Sequence, residues 1–285
     1  MAEWLRINKF KIAFISILLG NILIWSFYFS LPDGKLHIKV YDVGQGDSIF
    51  IKTASGKTVL VDGGPDNSVL GHLGRDIPFY SKNIDLVILT HPDADHLTGL
   101  IEVVKQYKVK KIWVNGADKD TRVYQDWEKA LSESSLKVEI VKAGSSLKLK
   151  DSLTMSVIWP PKDFISSKTN LLGIVIKLSY GEFDALLAAD ADKNVQPYTS
   201  SLGHIEVLKV PHHGASESVS EAFLNLTSPE VSIISVGEKN PYNHPRQEAL
   251  DLLKKSGSKI YRTDKDGSIE IVSDGESWYT KTSSK

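Results

Sequence analysis

The sequence predicts an α/β domain built from layered sheets and helices, preceded by one N-terminal transmembrane helix. Short apolar runs bounded by turn residues alternate with segments of helical periodicity, a pattern typical of sheets covered by helices. A nearly uninterrupted apolar run occupies residues 12–31. Histidines and aspartates follow several of the predicted strands, at the positions where loops build functional sites on a rigid scaffold.

Composition limits the classes of function. A chain of 285 residues can form one large domain or two small ones. The net charge is -1, so there is no overall basic surface for nucleic acid, and a polyanionic substrate would have to be held locally or by metal. The chain has no cysteine, which excludes disulfides, thiolate metal sites and a cysteine nucleophile.

The apolar run at residues 12–31 has the length of a helix that crosses a bilayer, about 20 residues for a core of roughly 30 Å. Basic residues precede the run and aromatic residues end it, so the positive-inside rule predicts a cytoplasmic N-terminus (residues 1–11) and an extracytoplasmic domain. We therefore expect a single-pass protein of the cell membrane. A cleaved signal peptide is the main alternative, disfavoured by the poor cleavage site at 29–32. A buried core helix is a second alternative, disfavoured because the run has no charged face.

The folded domain is expected at residues 35–275, after a turn at 32–34, and the polar tail at 276–285 is expected to be loose from Thr280 onward. Alternating or continuous apolar residues between turn signals predict the strands. In chain order the predicted strands are 36–43, 48–53, 58–61, 85–89, 111–114, 138–141, 147–149, 153–159, 173–179, 183–188, 205–210, 231–236, 259–261 and 268–272. Helical spacing of apolar residues predicts helices within 68–80, from the histidine-rich stretch to about 107, and at 121–132, 193–200 and 246–255.

The densest group of metal-binding side chains lies between the strand at 85–89 and the helix that follows it. Four such residues fall within six positions: His91, Asp93, Asp95 and His96. A turn at the end of a strand can aim several side chains at one point, and imidazole together with carboxylate suits zinc, manganese or iron. The alternative is a polar loop in which Asp95 serves as the helix N-cap.

Further candidates follow other strands. Asp62 could orient a ligand histidine by a hydrogen bond, or could be a plain turn residue. Asp190 closes a buried strand and could bridge two metals, or could cap the helix at 193–200. His212 and His213 follow a strand end, where adjacent side chains point to opposite sides, so we expect at most one to face the metals; a surface pair is the alternative. His244 could be a ligand, a general acid or a phosphate donor, or could pack in a turn.

These motifs, in this order, resemble the metallo-β-lactamase fold and, more closely, the hydrolase domain of ComEC-type competence proteins. The resemblance covers the chain from about Leu36 to Val272, and as a set the motifs are specific. The matching segments are YDVGQGDS at 41–48, LVDGG at 60–64, THPDADH at 90–96, AD at 189–190, LKVPHHG at 208–214, NPYNHP at 240–245, and YRTD at 261–264 with Gly267.

The resemblance implies a four-layer αββα sandwich with a dinuclear site for two divalent metal ions, zinc or manganese. By position, His91 and Asp93 resemble ligands of the first metal and Asp95 and His96 ligands of the second. The same comparison suggests Asp190 as the bridging carboxylate, His213 (or His212) as a further ligand, and His244 as a substrate-side or ligand histidine.

The chain departs from the family pattern at a few positions. Ala189 stands where glycine is common, which we expect to be tolerated if the backbone there is extended. Asn243 also replaces a glycine, and asparagine can adopt the left-handed conformation that the turn needs. Ala215 and Gly173 each stand where the family has serine. None of these changes removes a proposed ligand.

Three functions remain open. The first is a membrane-anchored, extracytoplasmic phosphodiesterase or nuclease that uses a metal-bound hydroxide, with Asp95, His212 and His244 as catalytic residues and one of the two histidines donating a proton. The second is a metallohydrolase of another bond, such as a wall-polymer ester, an amide or a lactam. The third is a non-catalytic binding module. The expected partners are DNA or another phosphodiester, the membrane through residues 12–31, and a separate DNA-uptake channel, because the full competence proteins carry many membrane segments and this chain has one.

Overall fold

The computed structural model describes residues 2–78, 80–134, 136–149, 151–196 and 201–283, with only the backbone described for 2–7, 26 and 28–30. The chain begins with one long helix, α1 (Ala2–Ser30). Within it, Asn8–Trp25 has a mean hydropathy of 1.4 and no buried share, so this helix is long and apolar enough to cross a membrane. The helix begins ten residues before the predicted run, because the polar residues ahead of it continue the same helical hydrogen bonding.

The domain after α1 is built on two large sheets. Apolar strands bounded by glycine, proline and aspartate turns form where the sequence predicts them, and 58–61 and 111–114 match to the residue. The strands are β1 (Leu36–Val40), β2 (Ile49–Lys52), β3 (Thr58–Val61), β4 (Asn83–Ile84), β5 (Leu86–Leu89), β6 (Lys108–Val109), β7 (Lys111–Val114), β8 (Lys137–Ile140), β9 (Ser146–Lys148), β10 (Thr154–Trp159), β11 (Val175–Tyr180), β12 (Phe183–Leu187), β13 (Val207–Lys209), β14 (Val231–Ile234), β15 (Lys259–Arg262), β16 (Ile269–Ser273) and β17 (Trp278–Thr282).

The first sheet has eight strands in the order β17-β16-β1-β2-β3-β5-β7-β8, and the second has seven in the order β15-β14-β13-β12-β11-β10-β9. In the first sheet β3, β5, β7 and β8 run parallel. In the second sheet β12, β13, β14 and β15 run parallel. The carboxyl ends of parallel strands share one edge, so each sheet has an edge where the following loops gather.

Helices cover the outer face of each sheet. An apolar core lies between the sheets, a second lies between the first sheet and its helices, and a third lies between the second sheet and its helices. This arrangement confirms the predicted four-layer αββα sandwich. The helices of the domain are α2 (Ser68–Asp76), α3 (Ala94–Gln106), α4 (Arg122–Ser132), α5 (Glu221–Thr227), α6 (Gln247–Lys255) and the single turn α7 (Thr263–Asp266).

The prediction of a loose tail from Thr280 is wrong. Residues of β17 pair antiparallel with β16 from Ile269↔Thr282 to Ser273↔Trp278 and form the edge of the first sheet. The polar composition of this strand reflects its exposed edge position, and its pairing depends on β16 rather than on local pattern. The sequence analysis did not predict helix α5, whose N-cap is Ser220; the Ser220 side chain accepts a hydrogen bond from the Phe223 amide. The predicted helix at 193–200 lies partly outside the described residues.

A candidate metal centre at the meeting edge of the two sheets

The predicted ligands come from both sheets, and all follow strand ends. In the first sheet, Asp62 follows β3, His91 follows β5, and Asp95 and His96 lie in the first turn of α3. In the second sheet, Asp190 comes three residues after β12, and His212 and His213 come three and four residues after β13. The sandwich brings the two sets of loops together at one edge.

Three buried histidines, His91, His96 and His213, cluster around the buried Asp190 carboxylate. Asp190 Oδ1 lies 3.4 Å from Nε2 of His96 and 3.7 Å from Nε2 of His213. Asp190 Oδ2 lies 3.7 Å from Nε2 of His91. Asp95 adds a second carboxylate, with Oδ2 3.3 Å from His213 Nε2 and 3.9 Å from His96 Nε2. The two oxygens of Asp190 thus face different histidines.

The cluster atoms are buried polar groups with no hydrogen-bond partner among the described residues. They are Nε2 of His91, His96 and His213, and Oδ1 of Asp190. A buried polar atom without a partner is costly, and native proteins seldom leave several together. Two overlapping groups, each with its ligand atoms within 4.8 Å of one another, are donor sets for zinc or a similar divalent metal: His91, His96 and Asp190, and Asp95, His96 and His213. The residues present therefore fit a metal centre.

The opposite nitrogen of each clustered imidazole is held by a hydrogen bond, and Asp62 supports two of the rings, His96 directly and His91 through Thr90. Asp62 Oδ2 accepts from His96 Nδ1 at 2.8 Å and from the Thr90 hydroxyl at 2.7 Å. Because the hydroxyl proton goes to Asp62, Thr90 Oγ1 accepts from His91 Nδ1 at 3.0 Å. His213 Nδ1 donates to the Ser235 carbonyl at 2.9 Å. In its neutral form each imidazole thereby directs its Nε2 lone pair toward the cluster.

Electrostatics in the cluster are dominated by burial and by the mixture of charges. Burial opposes charge on His96, but Asp190, Asp95 and Asp62 outweigh it and raise the pKa of His96 well above its usual value. Burial and the neighbouring His96 lower the pKa of His91. Burial disfavours the Asp190 carboxylate, yet the surrounding histidines hold its pKa well below the usual range. A metal at His96 Nε2 would therefore displace a proton, whereas the neutral form of His91 is already favoured.

The backbone around the cluster is strained. Asp62, Ala189, His212 and His213 have φ of 59°, 47°, 48° and 53°, and Asn243 in the adjoining loop has 55°. Residues with positive φ other than glycine are uncommon and concentrate at functional sites. The expectation that Ala189 tolerates its position through extended backbone is wrong, because the position is left-handed. Asn243 adopts the left-handed conformation that was expected of it.

The idea that His212 and His213 continue a strand and point to opposite sides is also corrected. Both lie in a tight turn, Pro211–Gly214, with left-handed backbone. The turn buries His213, whereas the side chain of His212 is 35% exposed and its Nε2 lies 3.8 Å from Asp190 Oδ2. Gly214 continues at φ +77°, and a Cβ there would approach Pro245 Cβ to 2.6 Å.

Asp93 is the predicted ligand that the structure does not bring into the cluster. Its Oδ1 accepts from the Thr169 hydroxyl at 2.6 Å, and its Oδ2 pairs with Lys119 Nζ at 2.7 Å. Asp93, rather than Asp95, takes the N-cap position of α3, and its side chain makes no capping hydrogen bond to the described backbone. The alternative in which Asp95 caps the helix is therefore not what the structure shows.

His244 lies on the open side of the cluster. Its ring is 5.8 Å from that of His212, and its backbone is held by Asn240, whose side chain bonds both the amide and the carbonyl of His244. Burial and the nearby His212 and His213 lower the pKa of His244 to about 4. At neutral pH this imidazole is uncharged, so it is suited to donate or accept a hydrogen bond rather than to act as a general acid.

Several residues around the cluster were not singled out from the sequence. Asn170 Nδ2 lies 3.2 Å from Asp190 Oδ2 and 3.4 Å from His212 Nε2. Asp47 and Lys209 form a fully buried ion pair beside His213, whose Nδ1 lies 3.6 Å from Asp47 Oδ1. Both belong to the motif segments at 41–48 and 208–214. A charged residue inside an apolar strand, as at Lys209, is the signal that could have identified the pair.

A cleft of about 650 Å³ opens from this site to the surface. Its walls carry both lysines and aspartates, so it is polar and mixed in charge. The lining residues are Asp93, Asp118, Lys119, Asp120, Ser167, Lys168, Thr169, Asn170, Leu171, Asp192 and His212.

Comparison with known proteins agrees with this geometry, since residues 41–167 match the metallo-beta-lactamase superfamily. The chain contains a metallo-beta-lactamase domain. It is also 32% identical to ComE operon protein 3 of Bacillus subtilis, over 82% of this chain. It is 27% identical to Recombination protein 2 of Haemophilus influenzae, over 93% of this chain. The match spans 32% of each of these two relatives.

Among solved structures, the metallo-beta-lactamase fold protein YhfI from Bacillus subtilis superposes with a TM-score of 0.54 over 80% of this chain and 96% of that one, at 14% identity. At this identity the likeness concerns the fold. The metallo-beta-lactamase domain is thus a metallohydrolase fold related in sequence to competence proteins, and it carries histidines and aspartates that can hold divalent metal.

Proposed function

We propose that this metallo-beta-lactamase domain is a dinuclear metal-dependent phosphodiesterase, held at a membrane by α1. The observation that carries the proposal is the set of converging buried atoms without partners: Nε2 of His91, His96 and His213, and Oδ1 of Asp190. Each ring has its other nitrogen fixed, as a ligand histidine requires. The ligands we propose are these four residues with Asp95. Asp93 could serve as a metal ligand only if its carboxylate were released from Lys119 and Thr169.

Two divalent metal ions, zinc or manganese, would supply water activation at neutral pH and charge neutralisation at the attacked group. The chain's own residues then bind and orient. Asp190 presents one oxygen toward His96 and His213 and the other toward His91, as a bridging carboxylate would. Asp95 approaches His96 and His213.

The side of the cluster that faces the cleft carries the residues we propose to meet substrate. His212 is partly exposed there, and Asn170 lies within reach of both His212 and Asp190. His212 is the proposed proton donor to the leaving oxygen. His244, neutral because of its lowered pKa, is proposed to donate a hydrogen bond to a substrate oxygen.

A phosphodiester substrate such as DNA is supported by the sequence relation to Recombination protein 2 of Haemophilus influenzae and to Competence protein ComA of Neisseria gonorrhoeae. It is also consistent with Lys119 and Lys168 in the cleft wall, which could contact phosphate oxygens beyond the metal centre. Because the net charge of the chain is -1, binding of a polyanion would depend on such local contacts. A separate DNA-uptake channel is the proposed partner.

The test uses the full chain in detergent, with metal content and hydrolysis of bis(p-nitrophenyl) phosphate measured together. We expect about two equivalents of zinc or manganese per chain and metal-dependent cleavage. Asp190→Asn should lose both, whereas Asp251→Asn on the exposed face of α6 should keep both. Failure to bind stoichiometric metal would refute the site. A metal-loaded chain that cleaves an ester, amide or lactam but no phosphodiester would refute the substrate class.

A further inference from the structure

The edge of the first sheet opposite the metal centre carries a group of lysines. Strands β3, β5 and β7 run parallel, and their carboxyl ends lead to Asp62 and His91 at the candidate site. Their amino ends therefore lie together at the other edge. That edge consists of the turn at 53–57, Asp85 and Lys110.

Three lysines line a cavity of about 330 Å³ at this edge: Lys52, Lys57 and Lys110. Two more flank it on the small sheet of β4 and β6, where the Lys108 amide donates to the Lys82 carbonyl at 2.7 Å. Ile84 and Val109 of the same pair are buried, so Lys108 faces outward by strand alternation. We name these five lysines the basic edge.

Among the described residues that line this cavity, the carboxylates are Asp76 and Asp85. Asp85 pairs with Lys57 at 3.2 Å and with Lys110 at 2.7 Å. Both lysines remain about half exposed, at 49% and 58% of their side chains. Asp76 also lines the cavity, but it is engaged by Lys39 and the Tyr41 hydroxyl.

One more carboxylate lies nearby. Asp151 accepts a hydrogen bond from the Ser55 amide at 2.8 Å, beside the turn that carries Lys57. Asp85 is thus shared by Lys57 and Lys110, and Asp76 and Asp151 are held by other partners at the margin of this surface. A positive surface of this kind attracts anions.

The end of α1 lies against the same edge. The rings of Phe27 and Tyr80 are 6.5 Å apart, and both residues line the cavity. Pro32 packs on the turn, because a Cβ added to Gly56 would come within 2.6 Å of Pro32 Cγ. The chain therefore reaches the basic edge at Pro32, two residues after the end of α1.

We propose that the basic edge docks on the phosphate groups of anionic lipids in the membrane that α1 enters. This inference rests on the membrane anchor proposed above. A lysine near an anionic bilayer contributes attraction that decays within the Debye length, about 10 Å at moderate salt, so the lysines must lie close to the span. Lys52, Lys57 and Lys110 line the same cavity as Phe27 and Pro32 at the end of α1. The docked domain presents its metal centre on the far side, separated by the length of β3, roughly 13 Å for four residues.

The experiment places the full chain in nanodiscs of phosphatidylcholine alone, or of phosphatidylcholine and phosphatidylglycerol in equal parts. Acetylation rates of individual lysines are then measured by mass spectrometry. In the anionic discs we expect the lysines of the basic edge to be acetylated at about one third of the rate in phosphatidylcholine discs, or more slowly still. Added salt should remove this protection. Lys254 and Lys255, on α6, should react equally in both discs.

A charge-reversed variant, Lys57→Glu with Lys110→Glu, should lose the protection at Lys82 and Lys108. The matched control, Lys254→Glu with Lys255→Glu, should keep it. Equal rates at the basic edge in both discs, or a decrease shared by Lys254 and Lys255, would overturn lipid docking while leaving the anchor intact. A chain that enters neither disc would overturn the anchor, and the docking with it.

Discussion

The Asp62→Asn substitution tests whether one carboxylate sets the metal-binding state of two histidines. Asp62 accepts three hydrogen bonds: from the Thr90 amide at 2.8 Å, from the Thr90 hydroxyl at 2.7 Å and from His96 Nδ1 at 2.8 Å. An asparagine has one acceptor oxygen in place of two. If that oxygen stays on the Thr90 amide, its NH₂ group faces the two donors from His96 and Thr90.

His96 can relieve this conflict by moving its proton from Nδ1 to Nε2, the nitrogen that points into the cluster. The Thr90 hydroxyl must also turn, and it then donates toward His91 Nδ1 rather than accepting from it. Each change places a proton on the Nε2 of one histidine, His96 or His91, and that nitrogen must be unprotonated to bind a metal. Loss of such a supporting partner typically costs 10- to 100-fold in metal affinity, or about 1.4–2.8 kcal/mol. We expect a loss of this size at both metal positions.

The measurement is zinc affinity of the full chain in detergent by competition with a chelating dye. Thr90→Val is the matched comparison, because it removes the hydroxyl beside His91 but leaves the Asp62–His96 bond. It should weaken one metal position and spare the other. Thermal unfolding of each variant controls for folding. If the Asp62→Asn variant binds two equivalents of zinc with unchanged affinity, Asp62 does not control the metal-binding state of His91 and His96.

Three other predictions concern the same region. Lys209→Met leaves Asp47 buried and unpaired and should lower the free energy of unfolding by about 3–5 kcal/mol, measured by chemical denaturation. Adding Asp47→Asn should recover part of this loss, and a double variant that is no more stable than Lys209→Met would contradict the prediction. Zinc affinity should fall as pH is lowered through neutrality, because protons must leave His96 and His213 before metal binds. Asp190 and Asp95 raise the pKa of His96, and Asp190 raises that of His213. A zinc affinity that does not change with pH would contradict this prediction. Ala189→Gly should change stability by less than about 1 kcal/mol, since relief at positive φ offsets a lost buried methyl, whereas Ala189→Val should cost more than about 2 kcal/mol by thermal unfolding.

Local sequence carries most of the information about strands in this chain. The runs at 58–61 and 111–114 are short, are apolar after their first residue (Thr58 and Lys111), and are bounded by turn or charged residues, so the pattern alone predicts their limits. Strand β17 does not follow from pattern, because its alternating threonine and lysine residues resemble a tail until β16 provides the partner. Edge strands depend on pairing, which sequence periodicity does not report.

The candidate site shows the same division. Spacing brings His91, Asp95 and His96 onto one strand-to-helix turn, and that placement follows from the sequence. The partners that decide what each side chain does are distant in the chain. Lys119 and Thr169 bind both oxygens of Asp93, and the sequence offers no local sign of either contact. The left-handed turn at Pro211–Gly214 was missed for a related reason, since histidine does not signal positive φ.

The position of the site explains why its neighbourhood contains strain and a buried charge pair. Three of the proposed ligands (His91, Asp95 and His96) follow a strand of the first sheet, and two (Asp190 and His213) follow strands of the second, so the cluster exists only when the two sheets are packed. Asp47 and Lys209 join the same two halves beside His213. The left-handed residues Ala189 and His213 lie within this zone, where packing from both sheets can hold conformations that neither loop would keep alone. The packing of the two sheets therefore stabilises the backbone conformations that hold the ligands in place for a metal.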